Sequence, residues 1–163
     1  MILVTGGLGF IGSHTVVSLQ EKGHEVLIVD DLSNATIEVL DGIEAASGTR
    51  PKLKVLNLQV SEGVAEIFQS YNITGIIHFA AAKAVGESVQ KPIAYYQNNL
   101  GSLLNLLAEI EKSHKPIPFI FSSSCTVYGE AETLPITERA PIQPAMSPYG
   151  NTKQVGEEIL VDT

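Results

Sequence analysis

Short runs of apolar residues alternate along this chain with longer segments whose apolar residues recur at helical spacing. The short runs are bounded by polar or turn residues, and several are apolar at consecutive positions, which is typical of strands buried on both faces of a sheet. They cover residues 2–5, 25–30, 53–58, 75–79 and 117–122. The pattern therefore predicts five buried β-strands.

A longer segment with helical spacing follows each of these strands. These segments cover residues 11–22, 36–47, 61–71, 92–113 and 148–161. The third has Ser61 as its cap and Glu62 in its first turn, and the last has Ser147 as its cap and Pro148 at its first position. The alternation predicts an α/β fold of the Rossmann type, a doubly wound parallel sheet ordered 3-2-1-4-5 with helices on both faces.

The segment from residue 130 to residue 148 shows no periodicity and contains four prolines. Because long segments without regular structure are uncommon in compact domains, we interpret it as a functional loop. A length of 163 residues fits one compact domain, so we expect residues 1–163 to form a single domain.

Composition limits the classes of partner. The chain is 44% hydrophobic and 17% charged, with a mean hydropathy of +0.17, as in soluble globular proteins. A formal net charge of −8 disfavours sequence-independent binding to nucleic acid. The single cysteine, Cys125, allows no intramolecular disulfide, and the sequence contains no apolar run of roughly twenty residues. We expect the N-terminal residues to form the first strand rather than a signal peptide. We therefore expect a cytoplasmic protein that binds neither nucleic acid nor membranes.

Three glycines, Gly6, Gly9 and Gly12, follow the first predicted strand. Such a triplet also occurs in ordinary strand-to-helix turns, but here it opens a helix, and the next strand ends in Asp30 about twenty residues later. Glycines let the backbone approach a pyrophosphate closely, and the helix N-terminus offers it free N–H groups and a positive dipole end. The combination predicts a dinucleotide site.

Asp30 is expected to select the cofactor. A carboxylate at the end of the second strand accepts hydrogen bonds from ribose hydroxyls and repels a 2′-phosphate. The next residue is Asp31 rather than an arginine. The alternative role for Asp30 is a cap for the following helix, but its place at a strand end favours the ribose, and hence NAD rather than NADP.

Polar residues also follow the fourth and fifth predicted strands, near the point where ligands bind in such sheets. The small residues at 80–82 let the backbone pass close to a cofactor, and Lys83 is the only charge beside them. Taken alone, Lys83 would be a solvated lysine, and we expect His78 to be a core residue. The serines at 122–124 either form a turn or donate to a reacting oxygen.

Tyr149 and Lys153 are four residues apart on the last predicted helix, which places both side chains on one face. A lysine ammonium beside a phenol favours the phenolate, which could act as a base. This spacing also arises by chance in surface pairs. The glycine loop, Asp30 and the serine run in the same chain favour the catalytic interpretation.

With these features, the chain resembles the extended short-chain dehydrogenases/reductases and, within them, the UDP-glucose 4-epimerase family. The resemblance is carried by residues 4–15, 78–80, 83–88, 95–99, 121–129 and 147–153. Its most specific segment is Lys-Ala-Val-Gly-Glu-Ser at 83–88, since relatives that act on other sugar nucleotides usually differ there.

The resemblance implies that the protein interconverts UDP-glucose and UDP-galactose through a 4-keto sugar. Bound NAD would take a hydride from C4 of the sugar and return it to the other face. Tyr149 would be the base for the C4 hydroxyl, Ser124 would hydrogen-bond that hydroxyl, and Lys153 would bind the nicotinamide ribose. Lys83 and Asn98 would contact the cofactor, and Phe79 and Ala80 would lie beside its nicotinamide half.

The catalytic residues that we predict are therefore Ser124, Tyr149 and Lys153, and the substrate-binding residues are Lys83, Ser124 and Tyr149. We predict no metal site. The cofactor-binding residues that we predict are Gly6, Gly9, Phe10, Ile11, Gly12, Asp30, Asp31, Ser33, Asn34, Asn57, Leu58, Phe79, Ala80, Ala81, Lys83, Asn98, Ser122, Tyr149 and Lys153.

Three departures from the family pattern bear on these expectations. Asn57-Leu58 stands where the family usually has an Asp before an apolar residue that contacts adenine, so we expect a weakened adenine contact. Asp31 stands where Asn is frequent. The family's chain is about twice as long and adds a smaller substrate domain, so residues 1–163 are expected to be an N-terminal NAD-binding portion of a protein that is homodimeric at full length.

Two other functions remain open. A related NAD-dependent sugar-nucleotide epimerase or 4,6-dehydratase would share the fold, but the dehydratase needs an Asp-Glu pair where Val127-Tyr128 follows Thr126. The chain could also be an NAD-binding module without turnover, which bound NAD in the absence of catalysis would reveal.

Overall fold

The computed structural model describes residues 1–163 and contains one parallel five-stranded sheet. Its strands are β1 (Ile2–Thr5), β2 (Val26–Asp30), β3 (Lys52–Val55), β4 (Gly75–His78) and β5 (Phe119–Phe121). They are ordered β3-β2-β1-β4-β5, and every neighbouring pair is parallel. The predicted α/β class and strand order are confirmed.

Six helices and one short 3-10 segment connect or follow the strands. They are α1 (Phe10–Glu21), α2 (Val39–Ser47), α3 (Ser61–Ser70), α4 (Val85–Gln90), α5 (Pro92–Ser113) and α6 (Pro148–Asp162), with the 3-10 segment at Cys125–Tyr128 between β5 and α6. No helix is long and apolar enough to span a membrane.

Helices cover both faces of the sheet because successive strand side chains point to opposite sides. On one face, Leu3 and Leu27 pack with residues of α3 and with Leu106 of α5. On the other face, Val4 and Ile28 pack with residues of α1 and α2. Both faces of β1 and β2 are thus buried, which explains why these strands are apolar at consecutive positions.

The structure differs from the predicted elements in several places. Helix α2 begins at Val39 rather than at residue 36, and β5 covers Phe119–Phe121 rather than 117–122. The strand predicted at 53–58 is β3, which ends at Val55. The chain turns after it, because the Asn57 Oδ1 accepts a hydrogen bond from the Gln59 N–H at 2.9 Å. The segment after β4 contains helix α4, which was not predicted, since six residues including Gly86 are too short for a helical period to show.

The chain forms two compact units. Unit one comprises Met1–Ala81 and Leu104–Ser122 and contains the whole sheet, whereas unit two comprises Ala82–Leu103 and Ser123–Thr163. Helix α5 contributes residues to both. That residues 1–163 form a single domain stays a prediction.

Leu106 and Leu104 provide a matched test of the core of unit one, because they lie two residues apart on α5. Leu106 is fully buried and Leu104 is 50% exposed. We expect Leu106→Ala to lower the free energy of unfolding by about 2–5 kcal/mol through loss of apolar burial and formation of a cavity. Leu104→Ala should change it by less than about 0.5 kcal/mol. Urea unfolding of both variants measures the difference, and equal effects would contradict this description of the core.

Candidate active site

The loop between β1 and α1 folds tightly on itself. Gly6 has a φ of 65°, in the left-handed region that favours glycine, and its carbonyl accepts a hydrogen bond from the Gly9 N–H at 3.1 Å. A Cβ on Gly12 would collide with that same carbonyl, and a Cβ on Gly6 would lie 2.8 Å from the backbone nitrogen of Ala80. Side chains are therefore excluded at both positions.

Helix α1 begins immediately after this loop, and no side chain caps it. Its first two side chains are strongly exposed, Phe10 at 80% and Ile11 at 61%. The N–H groups of an uncapped first turn lack partners within the helix and can bind an anion. The glycine loop and the start of α1, residues 6–12, thus form a cradle whose accessible backbone N–H groups could bind an anion such as a diphosphate.

Asp30, at the end of β2, ties two loops of unit one together. Its Oδ2 accepts a hydrogen bond from the Leu8 N–H and its Oδ1 from the Leu32 N–H, both at 3.1 Å. Asp30 therefore does not cap α2, which was the alternative role. Each carboxylate oxygen keeps a second lone pair that could accept a ribose hydroxyl. The adjacent Asp31 is exposed and accepts hydrogen bonds from Ser33.

The end of β4 is packed around a buried histidine. His78 is 1% exposed, its Nδ1 lies 2.7 Å from the Thr5 Oγ1, and its ring stacks on Phe121 with centroids 6.0 Å apart. It is a core residue, as expected. After His78, the backbone at Ala80 passes close to Gly6 of the glycine loop. The Ala80 N–H donates to the Thr5 Oγ1 at 3.3 Å.

The remaining predicted cofactor residues of unit one differ in exposure. Asn57 is exposed, whereas Leu58 is buried in the core with its carbonyl bonded by the Asn105 Nδ2 at 2.8 Å. A cofactor contact by the Leu58 side chain is thus disfavoured. The others are exposed or half-buried: Ser33, Asn34, Phe79, Ala80, Ala81 and Ser122.

Unit two contains all three predicted catalytic residues. Ser124 precedes the 3-10 segment, and its Oγ accepts hydrogen bonds from the Thr126 N–H at 3.3 Å and from the Thr126 hydroxyl at 3.0 Å. Since both acceptor positions face donors, the hydroxyl hydrogen of Ser124 remains available to donate to another oxygen.

Helix α6 is held firmly against this segment. Its predicted cap is confirmed, since the Ser147 Oγ accepts the Gly150 N–H at 3.1 Å. Gly150 packs on Thr126, where a Cβ would lie 3.3 Å from the threonine Cβ. The Gln154 Nε2 donates to the carbonyls of Val127 and Gln143 at 2.7 and 2.6 Å. The helix that carries Tyr149 and Lys153 is therefore fixed beside Ser124.

Lys153 is the most perturbed ionisable side chain in this unit. It is 4% exposed, and burial lowers the pKa of its ammonium to about 8. A lysine with this pKa changes charge near neutral pH, which is typical of a functional group rather than of a surface pair.

The segment after β4 that carries Lys83 has its own support in unit two. The Ala84 N–H donates to the Tyr95 hydroxyl at 3.1 Å, and this hydroxyl donates to the Glu87 Oε2 at 2.9 Å. Burial and the bond to Glu87 raise the pKa of Tyr95, and hydrogen bonds from Lys91 and Tyr95 lower the pKa of Glu87. Lys83 itself is exposed.

Sequence reasoning missed Asn99 and Thr152, two buried polar residues next to predicted site residues. Asn98, which was predicted, donates its side-chain amide to the Asn99 Oδ1 at 3.0 Å, and the Asn99 Nδ2 donates to the Thr152 Oγ1 at 3.0 Å. The only local signal was Asn99 itself, a poor helix former that lies on the helix face continued by Leu103 and Leu106.

Comparison with known proteins follows this geometry. A family model described as GDP-mannose 4,6 dehydratase matches residues 3–163. The chain belongs to the GDP-mannose 4,6 dehydratase family. Within it, this family member is 45% identical over 161 residues to a protein of Dictyostelium discoideum named UDP-glucose 4-epimerase, a match that covers 99% of this chain and 46% of that protein. The chain thus spans about half the length of the curated relatives it matches.

Two solved structures resemble this family member closely. One is a UDP-glucose 4-epimerase from Bifidobacterium longum in complex with NAD+ and UDP, with a TM-score of 0.93 and 45% identity over 99% of this chain and 48% of that chain. The other, from Stenotrophomonas maltophila with bound NAD and formylated UDP-arabinopyranose, has a TM-score of 0.92 and 40% identity over 99% and 47% of the two chains. The predicted resemblance to UDP-glucose 4-epimerases is confirmed.

The buried lysine makes stability depend on pH. Because the pKa of Lys153 is about 8 in the folded protein and 10.5 for a lysine exposed to solvent, as in the unfolded chain, the unfolded chain binds more protons between these pH values. The free energy of unfolding therefore rises with pH across this window, by up to about 3 kcal/mol from this group.

Urea unfolding at pH 7 and pH 10 tests this expectation. Lys153→Met should be more stable than the parent protein at pH 7 and should lack the added rise. The exposed Lys22 serves as the control, and Lys22→Met should keep the parent's pH dependence. A Lys153→Met variant with the full rise would show that another group is responsible.

Proposed function

We propose that this chain binds NAD and carries the catalytic residues of an enzyme that interconverts UDP-glucose and UDP-galactose. The observation that carries the proposal is the position of Ser124, Tyr149 and the buried Lys153 together in unit two. The similarity to epimerases solved with NAD and uridine nucleotides supports it.

The residues of unit one fit the cofactor. The loop from Gly6 to Gly12 would admit a diphosphate because its glycines let the backbone turn tightly without a Cβ at positions 6, 9 and 12, and the uncapped start of α1 offers N–H groups. Asp30 would accept the adenosine ribose hydroxyls through its remaining lone pairs. Its negative charge would repel a 2′-phosphate, which favours NAD over NADP.

The chemistry that NAD would supply when bound is reversible hydride transfer at C4 of the sugar. Tyr149 would take the proton of the C4 hydroxyl as the hydride leaves, giving a 4-keto sugar, and would return that proton after the sugar turns over. Ser124 would donate its available hydroxyl hydrogen to the same oxygen. Lys153 would bind the nicotinamide ribose and, as an ammonium, stabilise the phenolate. Nothing is consumed, so the net reaction is an isomerisation.

The other predicted contacts are part of the same proposal. Lys83 would contact both cofactor and substrate, and Asn98 the cofactor. The remaining cofactor contacts in the proposal are Phe10, Ile11, Asp31, Ser33, Asn34, Asn57, Leu58, Phe79, Ala80, Ala81 and Ser122. Of these, Leu58 would contribute through its backbone, since its side chain is buried. A cytoplasmic location and a homodimer of the full-length protein also stay predictions.

A 4,6-dehydratase function is less well supported. That reaction needs a further acid–base pair near the nicotinamide, where this chain has Val127 and Tyr128 after Thr126. Val127 is buried and apolar. The position therefore offers no carboxylate, and epimerisation is favoured over elimination.

Tyr149→Phe tests the assignment of the base. The assay follows conversion of UDP-galactose to UDP-glucose by NMR of the sugar. We expect Tyr149→Phe to lose this conversion while it still binds NAD, because the phenol is the proposed base. Tyr71→Phe, which changes a tyrosine of unit one, is the control. Near-normal turnover in Tyr149→Phe would exclude it as the base. Bound NAD without conversion by the parent chain would favour an NAD-binding module.

Asp30→Asn tests the selection of NAD. The substitution keeps a side-chain acceptor but removes the charge that faces the 2′ position, so the ratio of the NADP and NAD dissociation constants should fall by at least about tenfold. Asp41→Asn makes the same change in net charge at a residue whose side chain is 70% exposed. Isothermal titration with each cofactor measures the ratio, and an unchanged ratio in Asp30→Asn would contradict its role.

A further inference from the structure

The Asn99 side chain uses every hydrogen-bonding position of its amide. Its Oδ1 accepts from the Ala82 N–H at 2.8 Å and from the Asn98 Nδ2 at 3.0 Å, and its Nδ2 donates to the Ala82 carbonyl and to the Thr152 Oγ1, both at 3.0 Å. An amide has two donors and two acceptor lone pairs, so none is left over. The Ala82 N–H can only donate, which fixes the orientation of the amide.

Thr152 extends this contact to the backbone of α6. Its Oγ1 accepts the Asn99 N–H and donates to the Tyr149 carbonyl at 2.7 Å. The direction of both bonds is fixed, since an amide N–H only donates and a carbonyl only accepts. Thr152 is 1% exposed and Asn99 is 5% exposed, so water does not compete for these groups.

Two segments with proposed functional residues are joined in this way. One is the backbone at Ala82, directly before Lys83, and the other is the first turn of α6 from Tyr149 to Lys153. Apolar side chains at positions 99 and 152 could fill the same space, but they could not fix both ends by directional bonds. The polar pair therefore specifies a position that packing alone would not.

We propose that Asn99 and Thr152 are positioning residues that hold the Tyr149–Lys153 turn of α6 against the Ala82 backbone. The inference rests on the proposed function, because it assigns the pair its purpose through Tyr149 and Lys153. It adds two residues that touch neither cofactor nor substrate in that proposal. They act by fixing the residues that do.

Asn151 provides a contrast on the same helix. Its Nδ2 donates to the Tyr96 hydroxyl at 2.7 Å, which also joins α6 to α5. This bond contacts neither Ala82 nor the Tyr149 carbonyl. If any bond between the two helices sufficed, loss of the Asn151 bond would have the same effect as loss of the Thr152 bond.

The experiment follows the Lys153 ammonium by NMR titration of its side-chain ¹³Cε signal, assigned with Lys153→Met. Burial lowers the pKa of Lys153 to about 8. Loosening the Tyr149–Lys153 turn should admit water to the ammonium and raise the pH at the midpoint of its titration. We expect a rise of at least about half a pH unit in Thr152→Val and Asn99→Ala. In Thr152→Ser, which keeps the hydroxyl, and in Asn151→Ala, the midpoint should stay within about 0.2 pH units of the parent's.

The following outcomes would contradict the proposal. An unchanged midpoint in folded Thr152→Val and Asn99→Ala, or an equal rise in Asn151→Ala, would overturn it. If Thr152→Val does not fold, Asn99→Ala decides, and if neither folds, the pair is required for folding and the positioning role is rejected. The titration needs no turnover, so failure to convert UDP-galactose would contradict the proposed function alone.

Discussion

The close approach of the glycine loop to the end of β4 is the constraint on which the rest of unit one depends. A Cβ at Gly6 would lie 2.8 Å from the Ala80 nitrogen, and one at Gly12 would meet the Gly6 carbonyl. Because glycines occupy both positions, the loop can turn tightly, and α1 begins immediately after it at Phe10 with no side-chain cap. The bonds from Leu8 and Leu32 to Asp30 then hold the loop at the end of β2. The exclusion of side chains at Gly6 and Gly12 thus allows the tight loop, and the hydrogen bonds to Asp30 place its carboxylate next to that loop.

The chain's charge makes this use of backbone groups physically reasonable. With a net charge of −8, the protein repels phosphates at long range, so the proposed diphosphate site relies on short-range donors. Unpaired N–H groups at a helix N-terminus supply such donors without adding a positive side chain. In unit two the positive charge that the proposed function uses is instead buried, at Lys153. Burial lowers the pKa of its ammonium to about 8 and lowers the free energy of unfolding below that pH. The fold therefore tolerates a lower free energy of unfolding at Lys153, where the proposed function uses a group that exchanges a proton near neutral pH.

The sequence-based predictions succeeded where a local pattern carries the information. Strands such as β1 are apolar on both faces, and α5 has a long helical period, so its bounds of Pro92–Ser113 agree with the predicted 92–113. They failed for β3, whose end depends on one Asx turn at Asn57, and for α4, which is too short to show a period. Asn99 was missed for a different reason. Its partners Ala82 and Thr152 are distant in sequence, and nothing in residue spacing records a hydrogen bond between them.

The two units are stabilised by different kinds of interaction, and this difference bears on function. Unit one is built on two apolar clusters, one on each face of the sheet, and apolar packing tolerates small shifts because it is not directional. Around α6, by contrast, hydrogen bonds of 2.6–3.1 Å join backbone groups to the side chains of Ser147, Gln154, Asn99 and Thr152. Hydrogen bonds have narrow distance and angle limits, so they fix a helix turn more closely than packing does. If Tyr149 is the base, as proposed, such support has a direct consequence, since small displacements of a catalytic group slow a reaction substantially.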